Sequence, residues 1–210
     1  MKRSELFDLK NEKGPLLFVI SGHSAAGKDS VIQRLKLRGH PFHFVVTVTS
    51  RLPRADETHG VNYFFVSRDE FENMIRRGEF IEYARVYNEY KGVPRAQVDQ
   101  ALASGKDVIM RVDVQGAAAI RKLYPGAVLI FLSVQDEQEL RDRLVDRKTE
   151  TEAELDLRIK MARDELERVE EFDYLVFNRD SHLDEAVDTI VAIIEAEHHR
   201  VSSESEKEAH

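Results

Sequence analysis

The sequence predicts an α/β fold in which a core sheet of parallel strands is interrupted by a small antiparallel insertion. Three observations carry this expectation. Short apolar runs rich in β-branched and aromatic residues alternate with longer helical stretches, as in successive strand-helix-strand units. The first run leads straight into a glycine-bearing loop, Gly22-His-Ser-Ala-Ala-Gly27-Lys28, that opens a helix. Residues 43–86 break the alternation, with three strand-like runs and one short helix among them.

Buried parallel strands are expected at 16–21, 108–112, 128–132 and 174–177, where the apolar runs are nearly continuous. The helix after the glycine loop carries Val31, Ile32, Leu35 and Leu37. Inside the insertion, strands are expected at 44–49, 63–66 and 80–87. There the capping box Ser67-Arg-Asp-Glu70 opens a helix over 69–77. Pro94 suits the first turn of a helix running to Ser104, with Gly105 as its stop. A second capping box, Thr151-Glu-Ala-Glu154, opens a long helix to 171, and an amphipathic helix covers 183–199.

At 210 residues, with no internal repeat and no Pro- or Gly-rich linker, the chain reads as one domain. Residues 1–13 and 201–210 read as loose ends. Lys and Arg number 31 against 39 Asp and Glu, a net charge of -8, so no basic field for nucleic acid is available. The excess acid is local, with 14 acids against 8 bases over residues 136–171. The absence of Cys excludes disulfides, thiol catalysis and Cys-ligated metal. The first apolar run is too short for a signal segment or a membrane span, so a soluble cytoplasmic protein without a membrane partner is expected.

Gly22 to Ser30 has the G-x-x-x-x-G-K spacing in its strand-loop-helix context. Here the backbone of Ser21, Gly22, His23, Ser24, Ala25, Ala26 and Gly27 can wrap a phosphate. Its N–H groups and the helix N-terminus give partial positive charge, and Lys28 gives a full one. Nucleoside triphosphate binding is therefore the starting point. The residue after the lysine is ordinarily Ser or Thr, which helps to hold Mg2+. Here it is Asp29, followed by Ser30. A carboxylate suits Mg2+, but three readings stay open: a direct or water-bridged metal contact, a helix cap, or a metal held wholly through water.

The next informative stretch runs from Thr47 through Thr49-Ser-Arg51-Leu-Pro53-Arg54, Glu57 and Gly60 to Tyr63-Phe-Phe-Val66. Two arginines stiffened by Pro53 form a phosphate clamp, Tyr63 adds a hydroxyl, and Glu57 can orient either arginine. Alone, this composition also describes a polar surface loop.

With the phosphate loop, the run T-S-R-x-P-R-x-x-E-x-x-G-x-x-Y-x-F-V resembles the monophosphate-binding region of guanylate kinases. The resemblance continues through Glu79-Phe-Ile-Glu82, Tyr90-Lys-Gly92, Val112-Asp113-Val-Gln115-Gly116, residues 141–147 and Phe177-Asn178, in family order. It implies a P-loop kinase with a core (14–42, 94–140, 172–200), a GMP-binding subdomain (43–93) and a helical lid (141–171). The implied activity is phosphoryl transfer from ATP to GMP or dGMP with Mg2+. The resemblance maps the acceptor phosphate to Arg51, Arg54 and Tyr63, and the guanine N–H groups to Glu82 and Asp113. It maps guanine O6 to Thr47, with Lys91 and Gly92 alongside, and the donor to Lys28, Arg143, Arg147, Arg158 and Asn178. Such a site needs no general base, so the histidines, His23 among them, read as ordinary surface or loop residues. No oligomeric state is legible.

The chain departs from the family pattern at Asp29, at Lys91 (a tyrosine in the family), at Val93 (Ser or Thr) and at Arg111 (an acid). Val93 cannot donate to guanine O6. Tyr90 would need a shift of register to replace the missing phenol. Asp29 gains a carboxylate where Arg111 loses one, which predicts a compensating pair lying within about 8 Å. Two rival functions remain. The G-K-D-S loop also resembles ribose 1,5-bisphosphate phosphokinase, and guanylate-kinase-like domains of scaffold proteins bind peptides without catalysis.

Overall fold

The computed structural model describes residues 14–54, 57–86, 89–145 and 152–201. Residues 1–13 and 202–210 of the expected loose ends, and Arg147, lie outside them. A five-stranded, all-parallel sheet has the order β2-β7-β1-β8-β9, with β2 (His43–Phe44) and β9 (Tyr174–Phe177) at its edges. Its central strand β1 (Leu17–Ser21) is buried along its whole length between β7 (Val108–Arg111) and β8 (Val128–Ser133). The apolar runs are continuous because helices cover both faces. On one side, α7 (Leu183–His199) lays Val187, Ile190 and Ile194 against Phe18, Ile20 and Ile130. Their i, i+3, i+7 spacing forms one stripe. On the other, α4 (Val114–Leu123) lays Ala117 and Ile120 against Leu17, Val19 and Met110.

The insertion holds a second sheet of order β4-β3-β6-β5. Its strands are β3 (Val48–Thr49), β4 (Phe64–Phe65), β5 (Phe80–Val86) and β6 (Glu89–Pro94). The expected antiparallel pairing is present between β3 and β6 and between β5 and β6, with two differences from the expectation. First, β3 and β4 run parallel, because 14 residues of loop carry the chain back before it pairs again, so the sheet is mixed. Second, the single strand expected at 44–49 is split. Its first part, β2 (His43–Phe44), pairs with β7 in the core, and the chain then crosses to β3. The sheet is closed by α2 (Arg68–Arg76), whose cap Ser67 Oγ accepts the Glu70 N–H at 3.1 Å. Phe71 of α2 stacks on Phe80 and on Tyr90 with centroids 4.5 and 5.1 Å apart.

Between β6 and β7 lies α3 (Arg95–Ala103), and after β8 come α5 (Glu137–Val145) and α6 (Glu152–Leu166). The long helix expected to reach 171 stops at Leu166, and a separate 3-10 turn covers Val169–Glu171. Among the described residues, no helix is long and apolar enough to cross a membrane.

Candidate active site

The phosphate loop joins β1 to α1 (Lys28–Leu37). Gly22 has φ +134°, and a Cβ there would come 2.0 Å from the Leu132 carbonyl oxygen, so only glycine lets the loop leave the sheet. His23 stands in the loop but is wholly buried, which corrects the reading of it as an ordinary surface or loop residue. Its Nδ1 donates to the Ser24 carbonyl at 2.6 Å, and its Nε2 accepts the Val134 N–H at 3.3 Å. Burial holds its pKa down to about 4, so the ring is neutral and pins the loop to the end of β8. His198 also departs from that reading, since it pairs with Asp107 at 2.8 Å at the opposite end of the sheet.

Lys28 Nζ donates to the Gly22 and His23 carbonyls at 2.5 and 2.9 Å. Burial brings its pKa down to about 8, opposed first by the Glu165 carboxylate. Glu165 was not legible as a site residue. It sits two helical turns beyond Arg158 on α6, and that i, i+7 spacing is the signal that could have found it. Arg158 Nη1 reaches Ser24 Oγ at 3.4 Å, so both α6 side chains meet the same part of the loop.

Arg143 and Asn178 brace the loop from beneath. Arg143 Nη2 donates to Glu139 Oε1 and to the Asn178 carbonyl, both at 2.6 Å, and its Nη1 reaches the Ala25 carbonyl at 3.4 Å. Asn178 is buried, with Nδ2 donating to the Ala26 carbonyl at 2.9 Å. Its amide therefore faces the loop backbone.

The arginine stretch belongs to the insertion, between β3 and β4. Arg51 and Glu57 make a two-pronged pair, with both N–O distances 2.8 Å, and Glu57 also accepts the Arg54 N–H at 2.8 Å. One carboxylate thus fixes both arginine positions, and Arg51 holds the Glu57 carboxyl below the usual range. Arg51 lies 5.4 Å from the ring centroid of buried Tyr63. Arg54 is exposed.

The two carboxylates that the resemblance assigns to guanine come together. Asp113 caps α4, its Oδ1 accepting the Gly116 N–H at 2.8 Å. A Cβ on Gly116 would lie 3.0 Å from the Glu82 carboxyl, so its glycine admits that group beside Asp113. Burial and then the Asp113 charge push the Glu82 pKa up to about 8. Thr47 is buried nearby in sequence to β3, its carbonyl accepting the Phe64 N–H at 2.9 Å. Gly92 serves packing, because a Cβ there would meet the Phe80 ring at 2.8 Å.

Of the departures, Val93 is wholly buried among Ile81, Val98 and Ala101. Tyr90 packs on Phe71, away from Tyr63, so it does not replace the missing phenol. Lys91 instead lies 6.0 Å from the Tyr63 centroid. Asp29 makes no cap for α1; its carboxylate is ion-paired with Arg111, as the compensation argument requires.

A phosphate loop, an arginine clamp and a carboxylate pair narrow the field, and the family match decides it: residues 15–197 fit the guanylate kinase family model. The chain belongs to the guanylate kinase family. "Guanylate kinase 2, chloroplastic/mitochondrial" of Oryza sativa subsp. japonica is 47% identical over 188 residues, 89% of this chain and 66% of that protein. A guanylate kinase of Clostridioides difficile (strain 630) is 40% identical over 190 residues, 90% of this chain and 92% of that protein. The crystal structure of guanylate kinase from Anaplasma phagocytophilum matches with a TM-score of 0.74 at 28% identity, covering 90% of this chain and 89% of that one. The guanylate kinase fold therefore spans the parallel core and the insertion alike.

Proposed function

We propose that the chain transfers the terminal phosphoryl group of ATP to GMP, and to dGMP, giving ADP and GDP. The observation that carries this reading is the approach of Glu82 to Asp113 next to the Arg51–Glu57 clamp. Two acceptor carboxylates match the N1–H and 2-amino donors of guanine, whereas adenine offers no such pair on that edge. The base-free sugar phosphate of the rival kinase reading has no such paired N–H edge for these acids to read. The intact Lys28 and loop glycines likewise favour catalysis over a peptide-binding role.

In this reading an acceptor phosphate oxygen attacks the γ-phosphorus, the bond from γ-phosphorus to the β–γ bridging oxygen breaks, and ADP leaves with that electron pair. The attacking oxygen is already anionic, so no base is required and the chain contributes position and positive charge. Arg51, Arg54 and Tyr63 hold the acceptor phosphate. Lys28 and the amides of residues 22–27 hold the donor, with Arg158 closing from α6. Asp29 and the neighbouring Ser30 offer hard oxygen donors at the start of α1, a donor set suited to Mg2+ that keeps most of its water and substrate ligands. When bound, the ion neutralises donor phosphate charge. We assign residues 141–171 as a lid that excludes water, against a core and a GMP-binding subdomain bounded as the sequence suggests, in a cytoplasmic enzyme.

A coupled ADP-release assay tests this reading. Turnover is expected with GMP and dGMP and at most a trace with AMP or ribose 1,5-bisphosphate. Turnover with the sugar phosphate alone would overturn it, as would no turnover with any nucleotide.

A further inference from the structure

Two departures from the family pattern that stand 20 residues apart, Lys91 and Arg111, converge on one aromatic ring. Arg111 ends β7, and its guanidinium carbon lies 4.6 Å from the Tyr63 centroid, closer than Arg51 at 5.4 Å or Lys91 at 6.0 Å. Its side chain is 16% exposed, whereas that of its partner Asp29 is 62% exposed. A guanidinium in such a position has five donors in a rigid fork, more than one carboxylate can occupy. Arg51 has its own nearly buried partner in Glu57, but among the described residues Arg111 is ion-paired with a carboxylate that water can reach and a dianion can replace.

We propose that Arg111 is an additional acceptor-phosphate residue, held toward the site by the Tyr63 ring, with Asp29 as its counter-ion while the site is empty. This rests on the acceptor reading of Arg51, Arg54 and Tyr63. The arrangement also links the two halves of the cleft, because the counter-ion belongs to the donor loop. When the acceptor phosphate takes Arg111, Asp29 is left free on the donor side. Asp29 and Arg111 thus do more than preserve local charge.

The test is calorimetric titration of the full chain with GMP in metal-free buffer without ATP or ADP, so that neither donor nor metal contributes. Replacing a charge-assisted contact, Arg111→Met should weaken GMP binding about tenfold while leaving guanosine binding unchanged. Asp29→Ser should tighten GMP binding about threefold, since no counter-ion must be displaced. In the Arg111→Met background, Asp29→Ser should change nothing. A purely structural pair would weaken GMP and guanosine together in both single variants. If Arg111→Met fails to fold by thermal melting, Arg111→Lys, expected to bind GMP about threefold more weakly, replaces it. GMP affinity unchanged in the Arg111 variants, equal loss of guanosine, or weaker GMP binding by Asp29→Ser would each overturn the proposal. Failure of the unsubstituted chain to bind GMP would instead overturn the acceptor reading on which it rests.

Discussion

The Glu82 carboxyl stands beside Asp113 where Gly116 leaves room for it, and burial raises its pKa to about 8. Without ligand Glu82 therefore carries a proton at neutral pH, chiefly because burial disfavours its charge. Guanine brings N–H donors, which an ionised Glu82 accepts better than a protonated one. Below about pH 8, binding must drive off that proton, and affinity should rise with pH by up to tenfold per unit before levelling above it. Calorimetric GMP titration between pH 6 and 9 measures this. Glu82→Gln should weaken binding and flatten the profile; a profile that keeps its slope in that variant would assign the proton elsewhere.

Glu57 holds Arg51 through two N–O contacts and Arg54 through the backbone, yet touches neither nucleotide in the proposed arrangement. Glu57→Gln should raise the KM for GMP about tenfold, the cost of one misoriented charge-assisted contact, and leave the KM for ATP within a factor of two. Steady-state kinetics varying each nucleotide in turn distinguishes this from a general loss of stability, which would move both.

What the sequence made legible was local. The phosphate loop and the Arg51–Glu57 clamp each lie within a short run of chain, so the residue types and their spacing carry the geometry. The Asp29–Arg111 pair spans 82 residues, but complementary charge changes at the ends of neighbouring elements exposed it. What stayed hidden depended on tertiary packing. Nothing in the loop sequence says that His23 turns inward to meet Val134, or that Asn178 lies beneath Ala26. The crossing from β2 to β3 escaped notice because one apolar run feeds two sheets. Glu165 looked like one more acid in an acidic segment until α6 placed it against Lys28.

That placement predicts the effect of removing it. Glu165 acts on the charge of Lys28 and also faces the Ser24 amide, so it occupies ground that a donor phosphate must share. Glu165→Gln should tighten metal-free ADP binding about three- to tenfold by removing like charge, the size of a partly screened interaction. Fluorescent-ADP displacement at two salt concentrations measures it, with a smaller gain expected at high salt. Weaker ADP binding in this variant would mean that the carboxylate supports Lys28 more than it repels phosphate.

His23 makes a separate prediction about stability. Folding lowers its pKa from 6.5 to about 4, so between those values the unfolded chain holds a proton that the folded chain lacks. Stability must then fall as pH drops from 6.5 through 4, by about 3 kcal/mol in all for a shift of this size. His23→Phe removes the titration and should flatten that part of the profile. It also leaves the buried Val134 N–H without its acceptor, which costs about 1–3 kcal/mol at pH 7. Denaturant unfolding at several pH values therefore separates two consequences of one ring. The variant should be the less stable protein at pH 7, and its disadvantage should narrow toward pH 4. An unchanged pH slope would show that the loop is not held by a neutral histidine.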